Sequence, residues 1–271
     1  MIPWITVPAG SYQVGATELI DNPRRNVAVR AFEISKYEVT NQQFYAFVQA
    51  TGYVTDAEHS RNGRVFEPGL KEFRWISDKT ANWHFPNGRS RGGIQGKMNH
   101  PVTCISFRDA EAFCRWAGVR LPTLDEWEVA ARGGTDGRYF CDPSELRQYA
   151  NIWGGRDHLK PDKSDPFLTT APVGTFRPNP IGLYDVYGNV FEFCSGRLRS
   201  DTRDTQRHSR GGSWWCSKNS CCFFNSVDVG TVNIRASFSN QGFRVVRDIK
   251  KPVGEPTGLV RTRFTCFACV E

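Results

Sequence analysis

The second half of this chain constrains its fold more than any other feature. After residue 134 the apolar residues come in short runs broken by Gly, Pro, Asn and Asp, and no helix of ordinary length can be drawn through them. Irregular backbone on that scale carries polar groups that need ions, side-chain hydrogen bonds or a functional surface to hold them. The chain is also too apolar to stay unfolded: 39% of its 271 residues are hydrophobic and 13% aromatic, enough to bury a full core. A disordered acidic tail, a collagen, a coiled coil and a disulfide miniprotein are excluded on these grounds.

The first half is more regular. Thr40-Asn-Gln-Gln43 is a capping box, and Phe44, Phe47 and Val48 follow at helical spacing until Gly52. A second helix is predicted from Ser106, with Asp109 three residues on, to Gly118. A third starts at Thr123 with Glu126 and ends at Gly133-Gly134. The opening segment from Trp4 alternates around Pro8-Ala-Gly-Ser11, which predicts a hairpin, and Val27 to Val39 alternates as strand. Further strands are predicted at Val190 to Cys194, Ser209 to Trp215 and Gly242 to Arg247. With no internal repeat and no linker, the reading is one α+β domain over residues 1–248 and a tail over 249–271.

The formal charge of +7 is spread in small groups such as Arg89-Ser-Arg91 and Lys250-Lys251. Nucleic-acid binders concentrate such charge on one helix or stripe, so this is a solvated surface and no nucleic-acid partner is expected. No run of eighteen apolar residues occurs, so no membrane span is expected either. Met1-Ile-Pro-Trp4 lacks the basic and apolar regions of an export signal, which leaves a cytoplasmic chain or one whose signal is absent from this sequence.

Nine cysteines are scattered along the chain, an odd number, so at least one is free or paired outside it. Cys266-Phe-Ala-Cys269 has no second Cys or His pair near it to complete a zinc site, and reads as a tail with two thiols. The five histidines lack the spacing of a helical metal site. Neither a nucleophile elbow nor a phosphate loop is present, Gly92-Gly93 lacking the flanking strand and helix.

Many short phrases occur in a telling order. They include Val7-Pro-Ala-Gly10, Tyr37-Glu-Val-Thr-Asn41, Ala81-Asn-Trp83, Trp116-Ala-Gly-Val-Arg-Leu-Pro-Thr-Leu-Asp-Glu-Trp127, Asn151-Ile-Trp153, Gly182-Leu-Tyr184, Gly188-Asn189, Arg210-Gly-Gly-Ser-Trp214 and Gly242-Phe-Arg244. From about residue 4 to 247 the chain resembles the formylglycine-generating-enzyme (sulfatase-modifying factor) domain, a variant of the C-type lectin fold. The resemblance implies an α+β fold with short helices and irregular antiparallel sheet. In that family two cysteines five residues apart, after a Gly-Gly-Ser strand, bind Cu(I) and oxidise a substrate cysteine. Cys216 and Cys221 stand at that spacing, with Ser213 beside them. Soft thiolates suit Cu(I).

The segment that follows departs from the enzymes, with Cys222-Phe-Phe-Asn-Ser-Val-Asp in place of an Arg-rich stretch and no Pro-Asp-Ser. There the chain is more similar to the variable proteins of diversity-generating retroelements, of the Treponema type, whose diversified segment lies between these same strands. Between Trp214 and Gly242 every residue except Trp215, Lys218 and Gln241 belongs to the set that such mutagenesis leaves.

The resulting expectation is a non-enzymatic, receptor-type protein, secreted or displayed at the cell surface (lipid-anchored through a segment absent here), with the cytoplasm left open. It would bind an unknown protein or cell-surface ligand through an outward loop over residues 215–241. The contact residues would be Trp215, Cys216, Ser217, Asn219, Phe223, Phe224, Asn225, Ser226, Val227, Asp228, Val229, Val232, Asn233, Ser237 and Phe238, a mixture of apolar area and adaptable hydrogen bonding. The alternatives are a copper-dependent formylglycine-generating oxidase using Cys216, Cys221 and Ser213, or an inactive paralogue of it. No cofactor is required by the first reading, and copper enters only with the oxidase. The resemblance further implies structural calcium held by the side chains of Asn151 and Asp165 and the carbonyls of Ile152 and Phe167. A second set would be Asp185, Gly188, Val190 and Glu192.

Overall fold

In the computed structural model, residues 1–67, 69–70, 74–155, 158–160, 166–198, 204–217 and 221–249 are described. Four helices lie in the first half: α1 Asn41–Thr51, α2 Asp56–Ser60, α3 Phe107–Ala117 and α4 Leu124–Arg132. Each opens on a complete capping box, Thr40 with Gln43, Thr55 with Glu58, Ser106 with Asp109 and Thr123 with Glu126. In each box two otherwise unpaired N–H groups of the first turn are satisfied. Three of these helices follow the sequence expectation to within a residue. The fourth, α2, is only five residues long and shows no helical repeat, so its box at Thr55 is the one signal for it.

Strands β1 Trp4–Val7 and β2 Gly10–Val14 form as expected but do not pair with each other. β1 pairs with β4 Phe32–Ser35, and β2 with β3 Arg25–Val29. A small hairpin joins β5 Gly63–Val65 to β6 Ile76–Asp78. The second half supplies β7 Phe191–Cys194, β8 Gln206–Arg210, β9 Gly230–Asn233, β10 Gln241–Gly242 and β11 Val246–Asp248. One sheet has the order β1-β4-β11, so the first and last strands meet through β4; the other has the order β10-β7-β8-β9.

Two predicted strands stop early, for local reasons. The strand expected from Ser209 ends at Arg210 because Gly211 and Gly212 take φ of +86° and +72° and turn the chain inward. Both turns leave no room for a side chain: a Cβ would lie 2.8 Å from the Val186 carbonyl at the first and 2.7 Å from the Phe224 nitrogen at the second. The strand expected over 242–247 divides into β10 and β11. Between them the Phe243 and Val245 carbonyls accept from the Val39 and Ser35 nitrogens, 2.9 and 2.8 Å away.

The helices pack through aromatic side chains. Phe44, Phe47 and Phe113 are buried together with Trp83, and Phe113 meets Phe243 of the closing segment edge-on at 5.4 Å. The irregular half is held by buried charge instead. Arg244 and Glu192, both fully buried, bond through Nε to Oε2 and Nη2 to Oε1 at 2.6 Å each, and Trp127 Nε1 donates to the same carboxylate. Glu128 accepts from Gly15 N, Asn22 Nδ2 and Arg132, and pairs with Arg210. Such networks satisfy the polar groups that loops carry into a core. Among the described residues no helix is long and apolar enough to cross a membrane.

Candidate functional site

The double-glycine turn after β8 delivers Ser213-Trp-Trp-Cys216 into the interior, all four of them buried. Trp214 N donates to the Asn189 carbonyl, Cys216 N to the Ser213 carbonyl, and Trp153 N to the Cys216 carbonyl, each at 2.8 to 2.9 Å. Asn240, from the far end of the segment, donates through Nδ2 to Ser213 Oγ at 2.9 Å. That hydroxyl lies 3.8 Å from Cys216 Sγ.

Cys221 returns to the same place. Its Cα lies 4.6 Å from that of Cys216, and the two sulfurs are joined as a disulfide. Both cysteines are buried, and Cys221 forms part of the wall of a groove of about 230 Å³. The groove is walled by Trp75, Trp215, Phe223 and Phe238, with Thr231 and Asn240 as polar points along it. An aromatic stack stiffens the wall: His158 lies flat on Trp215 at 4.1 Å, its Nε2 2.6 Å from the Trp215 carbonyl, and Trp75 packs against both Trp215 and Phe238. A larger concavity, about 740 Å³, lies elsewhere between Ile20, Arg25, Asp125 and Arg197, and no cysteine or histidine lines it.

The other cysteines differ in kind. Cys104, Cys114 and Cys194 are buried, and burial raises their thiols, that of Cys114 to about 12. The half-buried Cys141 is pushed to about 11 for the same reason. None of these four is poised to act as a thiolate.

The outward-facing contact loop expected over 215–241 is not what the structure contains. Trp215, Cys216, Ser217, Phe224, Asn225, Ser226, Val227 and Ser237 are buried. Phe223, Asp228, Val229, Val232 and Phe238 are half-buried, and Asn233 is exposed. Asn219 lies outside the described residues. Three polar members, Asn225, Ser226 and Asp228, are committed to the fold. Asn225 Oδ1 accepts from Val227 N and Asp228 N at 2.9 Å, and Asp228 pairs with Arg138. Ser226 Oγ bonds the Tyr187 hydroxyl at 2.6 Å, while its carbonyl accepts from the buried Arg210. Sequence reasoning missed this because residues of that composition serve equally well as loop contacts and as an irregular hydrogen-bonded core.

For the first calcium set, Asn151 and Ile152 are buried and Phe167 is half-buried, while Asp165 lies outside the described residues. The Asn151 amide donates to Thr169 O and Asn189 Oδ1, at 2.9 and 3.1 Å. In the second set, Glu192 already accepts from Arg244 and Trp127. Asp185 is different: Oδ2 accepts from Gly174 N at 2.7 Å, and the buried Oδ1 has no hydrogen-bond partner. Burial raises its carboxyl to about 6 and raises that of neighbouring Glu38 as well.

Comparison with known proteins now bears on this geometry. The sulfatase-modifying factor enzyme 1-like domain matches residues 3–249. A formylglycine-generating enzyme of Mus musculus is 35% identical over 278 residues, covering 90% of this chain and 74% of that protein. One from Streptomyces coelicolor is 38% identical over 257 residues, covering 84% and 82%. An inactive Cα-formylglycine-generating enzyme 2 of Bos taurus is 33% identical over 283 residues, covering 93% and 90%. Among solved structures, Treponema denticola variable protein 1 superposes with a TM-score of 0.63 at 20% identity, covering 91% of this chain and 95% of that one.

These findings overturn the expectation of a non-enzymatic, retroelement-diversified binder. Identity of 35–38% over most of the chain ties it to proteins named as enzymes, whereas the likeness to the variable protein, at 20%, extends to the fold alone. With an α+β, C-type-lectin-like architecture, a cysteine pair behind its double-glycine turn and relatives of this kind, the chain belongs to the sulfatase-modifying factor enzyme family.

Proposed function

We propose that this protein is a formylglycine-generating oxidase that converts a cysteine in a protein segment to an aldehyde, with Cys216 and Cys221 as its working thiols. The observation that carries the reading is the placement of the pair: the two sulfurs are joined within the core, and Cys221 also lines a groove. The relatives named as formylglycine-generating enzymes support the same reading.

The chemistry needs the substrate cysteine to lose two electrons and two protons across its Cβ–S bond, after which water replaces sulfur by oxygen. Each side chain has a task in that sequence. Trp75, Phe223 and Phe238 supply apolar walls that keep bulk water from a cysteine side chain reaching inward. Thr231 and Asn240 offer hydrogen bonds to the backbone of an extended segment. Asn240 also fixes Ser213, whose hydroxyl sits beside Cys216 Sγ and can donate to a thiolate there.

Copper(I) fits this pair. Two sulfurs converge at the groove that Cys221 lines, and thiolates are the donors that favour this ion. Bound there, copper would supply one-electron chemistry with dioxygen as the electron acceptor. Reduced Cys216 and Cys221 would hold it, and Ser213 would orient Cys216. Structural calcium is proposed as well, in the second set, on the unpartnered Asp185 oxygen.

The test is aldehyde formation on a cysteine-containing peptide by copper-loaded protein in air, followed by mass spectrometry and hydrazide capture. Turnover is expected in the parent chain and absent from Cys216→Ser and Cys221→Ser. A parent chain that binds copper yet makes no aldehyde would be an inactive paralogue, and the oxidase reading would fall.

A further inference from the structure

We propose that the protein segment carrying the substrate cysteine binds as an added strand along the free edge of β9, pairing antiparallel with Thr231 through main-chain hydrogen bonds. This deepens the oxidase reading and rests on it, since the groove that Cys221 lines is taken as the place where that cysteine reacts.

β9 Gly230–Asn233 closes one side of its sheet, where the order β10-β7-β8-β9 leaves it paired with β8 alone. A strand in that position presents a row of N–H and C=O groups to whatever lies beside it. Which groups these are follows from the register. Gln206 lies opposite Asn233 and Ser209 opposite Gly230, which sets Thr205 opposite Ile234, and Ile234 N donates to the Thr205 carbonyl at 2.8 Å. Along an antiparallel pair, hydrogen-bonded and non-hydrogen-bonded positions alternate. Val232 and Gly230 are therefore bonded to β8, whereas the N–H and C=O of Thr231 and the N–H of Asn233 point away from it. The Asn233 carbonyl is taken by Ala236 N at 2.9 Å, and Thr231 has no main-chain partner outside the sheet among the described residues.

The groove meets the edge at this residue. Gly230, Thr231 and Val232 all line it, together with Cys221. Side chains alternate between the faces of a strand. The Thr231 hydroxyl lies on one face, 3.4 Å from His208 Nδ1. Gly230 and Ser209 meet on the other, where a Cβ on Gly230 would lie 3.1 Å from Ser209 Oγ, and it is Ser209, Gly230 and Val232 that face the groove. Thr231 thus borders the groove through its backbone. β9 carries no charged residue that would turn an uncharged segment away.

The pairing fixes where the substrate cysteine sits. A residue opposite Thr231 exchanges both main-chain bonds with it and turns its side chain to the Thr231 face. The residues before and after it turn to the other face, over the groove. The cysteine occupies one of those two positions, beside Gly230 or Val232, and sends its sulfur toward the wall that contains Cys221. In strand addition the main-chain bonds supply affinity and the pockets for alternate side chains supply specificity.

The probe is a peptide of about six residues, the length of an ordinary strand, with a cysteine near its centre, together with copies N-methylated at the cysteine, at the residue before it or at the residue after it. Cys216→Ser leaves Cys221 without its partner, so in a glutathione redox buffer the peptide forms a mixed disulfide with Cys221, and mass spectrometry reads the captured fraction. N-methylation of one residue beside the cysteine removes the N–H that bonds the Thr231 carbonyl, and is expected to lower capture about tenfold; N-methylation of the cysteine itself should change it less than about twofold. Thr231→Pro should also lower capture about tenfold with the fold retained, because an edge strand accepts proline where its N–H faces away from the ladder. In the parent chain, an excess of the same peptide with serine for cysteine should slow amide exchange at Thr231 and leave Val232 unchanged. Absent capture, equal capture of all the peptides, or a loss centred on the cysteine's own N–H would overturn the proposal. So would protection of Thr231 that grows with protein concentration in the absence of peptide, which would place a second copy of the chain on this edge. The expected capture pattern without aldehyde formation by the copper-loaded parent chain would uphold strand addition while removing the oxidase reading.

Discussion

Between Thr40 and Gly133 the chain is held by helices that cap themselves and share an aromatic core; between Glu192 and Arg244 it is held by the ion pair of those two residues, a double-glycine turn, a disulfide and buried polar groups that bond one another. The first region spreads its stability over many small contacts. The second concentrates it in a few groups that cannot be lost singly. A site that must hold two sulfurs, a hydroxyl and an amide in one arrangement gains from the second kind of construction, because rigid neighbours fix each reacting atom.

That contrast can be broken where it is sharpest. Arg244→Met leaves the buried Glu192 carboxyl without its ion-pair partner, and should cost about 3–5 kcal/mol in urea unfolding; a loss within about 1 kcal/mol would show that buried charge does not hold this half. Trp214→Ala, beneath the cysteine pair, should cost a comparable ~3–5 kcal/mol by removing a large buried ring. Ser106→Ala should cost only about 1 kcal/mol, since it removes one cap and leaves the aromatic packing in place.

A pH-dependent effect is expected from Asp109, the residue that completes the Ser106 box. Burial raises its carboxyl from 3.8 to about 6, so the native state holds that proton more tightly than the unfolded chain. Its contribution to stability is full below about pH 4 and is lost as the pH rises through 6. Asp109→Asn should flatten that part of the stability–pH curve, and an unchanged slope would assign it to other groups.

The two regions also differed in how legible they were. Capping boxes and aromatic spacing are local, so α1, α3 and α4 could be drawn from sequence, and the Cys216–Cys221 spacing was visible too. Burial of Ser226 and Val227 was not visible, because their partners Arg210, Tyr187 and Asn22 lie 16, 39 and 205 positions away. The same distance concealed the pairing of β1 with β4 and the ion pair of Glu192 with Arg244. The rewritten stretch after Cys222 suggested a variable surface. In the folded chain Asn225 to Val227 are buried, while Phe223 contributes to the groove wall.

The central claim is that Cys216 and Cys221 form one two-sulfur centre open to a groove. Titration of the reduced protein with Cu(I) against a chromophoric chelator tests it most directly. One ion per chain should bind, with the affinity lost in Cys216→Ser and in Cys221→Ser but kept in Cys222→Ser. Undiminished binding in either of the first two variants, or no binding by the parent chain, would contradict it.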